Sequence, residues 1–304
     1  MRDQFAKSLN YQIKKNKKII LLCGDIGNKL FDNIKNINKG KNFINCGVAE
    51  QSMVSIAAGL GFNKLKPIVY TITPFLIYRA FEQIKLDVCY NNSPVILVGT
   101  GSGFSYSHLG TTHHSLEDVA LINSLPNINI YTPCDTKEVD FCLNEAIKSN
   151  KPCYIRLGKK GEPLINVNPR NKIKKNRLNK IFSGNNIAII CSGPIISEAI
   201  KARTLLLKKK ISTSVYSCHS ISLLNIKELK QLGKKYKLLV TLEEHGENGG
   251  LASIINNYLI NNNIKILNMN TKKNFYHKIG SQNYMRKISK IDKNSIFKSI
   301  IKII

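Results

Sequence analysis

The chain has 304 residues, 43% of them hydrophobic, and its 46 Lys and Arg against 19 Asp and Glu leave a formal net charge of +27. That length holds a sizeable core and points to two domains, while apolar runs such as 94–98 and 187–190 are strand-length, far too short to span a bilayer. The cations are spread among Asn and Ile rather than gathered into a patch with interleaved aromatics, so nucleic-acid binding is disfavoured, compositional drift is the leading explanation, and steering of anionic substrates is a by-product. Eight scattered cysteines without a CxxC or zinc spacing read as buried reduced thiols of a cytoplasmic protein, with no metal site. The N-terminus has an early Asp3 and no apolar stretch of a signal peptide.

Along the chain, apolar strand-like runs alternate with helical patterns. A helix over 3–14 leads to strands at 19–23 and 43–46, then a turn at Gly47 and an apolar helix over 52–60. A strand at 68–72, a helix at 78–90, a strand at 95–99 and a helix at 116–122 follow, and then a strand at 128–131. The turn at 133–136 offers Asp135 or Thr136 as cap for a helix over 137–149, before a strand at 153–157. Such alternation implies an α/β domain, a mostly parallel sheet flanked by helices, over 1–160. Two prolines and a basic run make 161–183 a linker. A second α/β domain over 184–304 carries strands at 187–191, 212–217 and 237–242 and helices at 196–208, 226–235 and 251–260. The string GTGSGF at 99–104 lacks the spacing of a dinucleotide fingerprint, and Glu243, Glu244 and His245 read as a solvated loop at a strand's end.

Glu50 stands out. The segment FINCGVAEQSMVSIAAGLGF puts it in the first turn of an apolar helix at a strand's end. The helix dipole favours a glutamate there, but a buried charge is costly unless it is paired or its protonation is shifted.

GVAEQ followed by AAGLG resembles the pyrimidine-binding domain of the transketolase family of thiamine diphosphate enzymes. The likeness continues in order through MRDQFAKSL at the start, CGDIGN at 23–28, FLIYRAFEQI at 75–84, GTTHHSLEDVALINSLPN at 110–127 and SNKPCYIRLGKKGEP at 149–163. LEEHGENGGLAS at 242–253 resembles the family's C-terminal domain. The GDG…N motif that binds diphosphate through a divalent metal is missing, and GDIGN at 24–28 lies at the wrong place. The resemblance therefore implies the β-type subunit of a split transketolase, the C-terminal half. It moves a two-carbon ketol unit from a ketose to an aldehyde. Its N-terminal-half partner subunit carries GDG…N and the divalent ion, Mg or Ca, in a heterotetramer of two copies of each.

The same resemblance implies roles for single residues. Glu50 presents a protonated carboxyl to N1′ of the cofactor's pyrimidine, which lets the 4′-amino group take the proton from C2 of the thiazolium. Phe75 and Tyr78 form the pyrimidine pocket, and Asp25 lies at its floor. His113 faces the substrate's hydroxyls and helps proton transfer, with His108 and His114 as further imidazoles nearby. Arg2 and Lys159 bind the substrate's phosphate, Arg2 through a fork and Lys159 as a point charge. Two departures point to a sugar other than the ordinary pentose phosphates: no aspartate precedes the Thr-His pair, where Leu109 stands, and Gly101 replaces a family histidine. The β subunit of a 2-oxo acid dehydrogenase, half of a deoxyxylulose-phosphate synthase and a non-catalytic scaffold are the alternatives.

Overall fold

The computed structural model describes residues 1–27, 29–167 and 172–304. Asn28 of the GDIGN string and 168–171 of the expected linker lie outside the described residues. The first sheet has six parallel strands in the order β2-β1-β3-β4-β6-β5: β1 (Ile19–Cys23), β2 (Phe43–Asn45), β3 (Lys66–Ile72), β4 (Ile96–Thr100), β5 (Asn129–Tyr131) and β6 (Cys153–Leu157). β1 alternates between two cores. Ile20 and Leu22 join one cluster, Ile19, Leu21 and Cys23 the other. A parallel strand buried on both faces needs helices on both, and this explains its uninterrupted apolar run.

Those helices are α1 (Arg2–Lys15), α2 (Asp32–Lys35), α3 (Glu50–Phe62), α4 (Thr73–Ile77), α5 (Phe81–Gln83), α6 (Asp118–Asn123) and α7 (Thr136–Lys148). α1 buries Phe5, Leu9 and Ile13, spaced by four residues, and Phe5 stacks on Tyr70 of β3 with ring centres 5.6 Å apart. Asp135 caps α7, accepting from the Glu138 N–H at 3.0 Å. Gly47 turns the chain between β2 and α3 at φ +67°. The helix expected over 78–90 is broken. Pro74 sits in the first turn of α4, which starts the helix earlier, and 78–80 form a turn before α5 and a π-helical run at Ile84–Tyr90.

The second sheet has the order β11-β10-β8-β9-β7, with β7 (Asn179–Phe182), β8 (Ile187–Ser192), β9 (Thr213–Ser217), β10 (Leu238–Gly246) and β11 (Ile266–Thr271). β7 falls inside the stretch expected as linker, yet it pairs antiparallel with β9; the other pairings are parallel. α8 (Ile196–Lys208), α9 (Ile226–Lys235) and α10 (Leu251–Leu259) cover it, together with α11 (Gln282–Ile288) and α12 (Lys293–Ile303). The sequence patterns missed β11, α11 and α12.

The end of β10 joins the two domains. Glu243, Glu244 and His245 are buried, not solvated as expected. Glu243 caps α10, accepting from the N–H groups of Leu251 at 2.8 Å and Ala252 at 2.9 Å. Glu244 accepts from the Phe104 N–H at 3.1 Å, from Gln282 Nε2 at 3.0 Å and from Arg286 Nε. His245 Nε2 accepts from the Ala120 N–H at 3.2 Å. In the GTGSGF loop Gly103 has φ +60°, and any side chain there would collide with Glu244.

Candidate functional site

The carboxyl ends of parallel strands leave backbone turns and helix starts facing outward, where α/β sheets gather binding residues. β1 ends at Cys23, followed by Gly24 and Asp25; β3 ends at Ile72 and runs into α4; α3 begins at Glu50. Glu50 is 1% exposed. A Cβ on Gly24 would stand 3.1 Å from Thr71 Oγ1 and 3.6 Å from Glu50 Oε1, so the bare backbone at 24 leaves a slot between them. Among the described residues, buried Thr71 Oγ1 has no hydrogen-bond partner. Phe75 stands edge-on to His113, ring centres 5.2 Å apart. A carboxylate and a buried hydroxyl beside a bare glycine fit the rim of a flat heterocycle with hydrogen-bonding atoms, and Phe75 supplies an aromatic face close by.

Glu50 does not stand alone. Arg79, in the turn at 78–80, donates from Nη1 to Glu50 Oε2 at 2.5 Å, and its guanidinium lies 5.3 Å from the Phe75 ring centre. The sequence reading left this cation out. Its signal was a cation four residues after Phe75, a helical spacing that brings the two side chains together.

The expected site residues divide into groups. Glu50 and Phe75 share Arg79 as a neighbour, and Phe75 in turn meets His113. Asp25, next to Gly24, has φ +53° and accepts at Oδ1 from Asn45 Nδ2 at 3.0 Å. Burial, then the charge of nearby His108, holds His113 below the ordinary imidazole value, and His113 Nδ1 lies 3.0 Å from Thr112 Oγ1. His108 is exposed and edge-on to Tyr106 at 6.4 Å. Tyr78 donates to Glu117 Oε2 at 2.7 Å and lines a cavity of about 570 Å³ with His114, Leu116 and Tyr276, which reaches the second domain. Burial lowers His114 from its usual value.

Arg2 and Lys159 gather elsewhere, around the start of α1. The Met1 amino group donates to Lys159 O at 3.3 Å, and Lys160 Nζ lies 3.6 Å from Asp3 Oδ2. Arg2 lines a polar cavity of about 430 Å³ with Lys7, Asn10 and Lys29. Among the described residues, no hydrogen bond or ring contact ties these two cations to the Glu50 cluster. Gly101, where the resemblance expects a histidine, has φ +87°, and a side chain there would run into the Tyr106 ring. Tyr106 therefore fills the space, and its signal in the sequence was the SYSH string after the glycines.

The model of the transketolase pyrimidine-binding domain matches residues 1–162, and that of the transketolase C-terminal domain matches 177–300. The chain is 34% identical over 255 residues to the B subunit of apulose-4-phosphate transketolase of Actinobacillus succinogenes, covering 83% of this chain and 82% of that one. The protein of the same name from Phocaeicola vulgatus is 30% identical over 224 residues, 74% of this chain and 72% of that one. 1-deoxy-D-xylulose-5-phosphate synthase of Clostridium tetani is 29% identical over 269 residues, 88% of this chain but 43% of the synthase. A solved structure described as "Split gene transketolase, inactive beta4 tetramer" superposes with a TM-score of 0.86 at 25% identity, over 99% of this chain and 96% of that one. The two matched domains fill most of the described chain, in the order and at the places that the sheets define, and the chain belongs to the transketolase family as the pyrimidine-binding and C-terminal half of a split transketolase.

Proposed function

We propose that the chain is the β-type subunit of a thiamine-diphosphate-dependent transketolase. It acts only with an N-terminal-half subunit, in an assembly of two copies of each in the cytoplasm. It transfers a two-carbon ketol unit from a ketose to an aldehyde. The supporting observation is Glu50, 1% exposed at the start of α3, beside the gap that Gly24 leaves against Thr71, with Phe75 joined to it through Arg79. These residues fit the cofactor's aminopyrimidine. When bound, thiamine diphosphate supplies an electron sink for the carbanion that ketose cleavage leaves.

This chain's residues then do the following. Glu50 holds a proton on its carboxyl toward N1′ of the pyrimidine. Phe75 lies against the ring, Gly24 leaves it room, and Asp25 shapes the floor. His113, kept below the usual imidazole value by burial and then by His108, is neutral near pH 7 and exchanges a proton with a substrate hydroxyl. Arg2 and Lys159 attract the phosphate of an anionic sugar, and His108 adds a donor near the acceptor. Tyr78 holds the rim through Glu117. The divalent ion, Mg or Ca, and the diphosphate are assigned to the GDG…N subunit. Dependence on that partner agrees with the inactive β4 tetramer of the split-gene relative. The names of the two relatives make apulose 4-phosphate the first ketose phosphate to test.

The test is co-expression with a short neighbouring reading frame that encodes GDG…N, followed by thiamine diphosphate binding and ketol-transfer assays with Glu50→Gln as control. Cofactor binding and turnover by the pair, lost with Gln at 50, are the expected results. Equal turnover by the Gln variant sinks the mechanism. A second reading, half of a 1-deoxy-D-xylulose-5-phosphate synthase, is favoured by relatives of that name and is separated by assaying for that product.

A further inference from the structure

The cation beside Glu50 has no part in the steps above. Arg79 occupies the carboxylate and the ring that the pyrimidine needs: Nη1 lies 2.5 Å from Glu50 Oε2, and the guanidinium 5.3 Å from the Phe75 ring centre. The two partners differ in freedom. The Glu50 side chain is 2% exposed and fixed at the start of α3, whereas that of Arg79 is 43% exposed at the mouth of the slot. Among the described residues, no second anion holds the guanidinium, and no second side chain bonds the carboxylate. A long, half-exposed stem held by one ion pair and one ring contact can swing into water at modest cost.

Resting on the reading of this slot as a thiamine diphosphate site, we infer that Arg79 is a latch on it. The guanidinium keeps Glu50 as a paired carboxylate while the slot is free, and it leaves when the ring seats. Seating the ring exchanges the guanidinium for one proton taken from solvent by the Glu50 carboxylate, so the buried charge is balanced before and after. Arg79 is thus a positioning residue that acts through Glu50. Without it, the lone carboxylate in the free slot is costly, and the carboxyl holds its proton before the ring arrives.

The measurement is calorimetric titration of thiamine diphosphate into the chain assembled with its GDG…N subunit, in two buffers of different ionisation enthalpy. The wild-type assembly takes up about one proton per site, and its affinity weakens as pH rises. Arg79→Gln takes up fewer protons and binds about two- to fivefold tighter at pH 7. Arg79→Lys, which keeps the charge without the fork, falls between them and carries the same test if the Gln variant does not assemble. Weaker binding, or undiminished proton uptake, by the Gln variant overturns the latch while the cofactor site stands. A wild-type assembly that binds no thiamine diphosphate overturns the site itself, and the latch with it.

Discussion

Two carboxylate–arginine pairs in the pyrimidine-binding domain show how differently one chemistry can be used. In the first, Asp118 and Arg156 are both buried, with Nε to Oδ2 at 2.7 Å and Nη2 to Oδ1 at 3.1 Å. Tyr154 donates to the same carboxylate at 2.6 Å, and Arg156 Nη2 also reaches Ser115 O at 2.8 Å and Glu244 O at 3.0 Å. Burial alone would raise Asp118, but the guanidinium overrides it and holds the carboxyl below the usual range. In the second, Glu50 and Arg79 share one contact, with the arginine half in water. A forked, fully satisfied pair is a strut, since removing either member strands a buried charge. A single contact at a surface mouth is replaceable, and the proposed cofactor site needs it to be. The strut also crosses the domain boundary, through the bond from Arg156 Nη2 to Glu244 O.

Four experiments break or sharpen this contrast. Glu50→Gln lowers ketol transfer in the two-chain enzyme by about 10²- to 10⁴-fold, read by initial rates, and barely moves the melting temperature. Asp118→Asn does the reverse, costing about 3–5 kcal/mol in urea unfolding because Arg156 is left buried and unpaired. The strut also predicts a pH window. The folded value of Asp118 lies below its unfolded one, so its contribution is present above the unfolded value, about 3.9, and is lost as pH falls through it toward the folded value. Urea midpoints of the wild type should fall below about pH 4, and those of Asp118→Asn should fall less over that window. The smallest effect belongs to Arg79→Gln, which costs about 1–2 kcal/mol, the loss of one hydrogen bond to a buried charged group. A loss comparable to that of Asp118→Asn would mean that the two pairs are of one kind.

Much of the fold was legible. Runs such as IILLC and the helices over 196–208 and 226–235 stand where their patterns put them, because apolar runs between turn residues leave few alternatives. The misses have a common cause. α12 reads KNSIFKSIIKI, and its buried Ile296 and Ile300 are hidden among Lys and Ile of the kind that fill the whole chain. β7 has four residues at a sheet edge and forms only against β9, which lies more than thirty residues on.

By itself the sequence determined the fold class, the family and a glutamate at the start of an apolar helix, since those depend on local period and on motif order. Only the tertiary structure decided what surrounds that glutamate. Arg79 lies 29 residues further along and reaches Glu50 from the turn at 78–80. Glu244 and His245 are buried because Phe104 and Ala120 of the first domain close over them, and Glu243 because it caps α10. Charge pairing and burial are sums over neighbours brought together from distant segments, and no local pattern carries them.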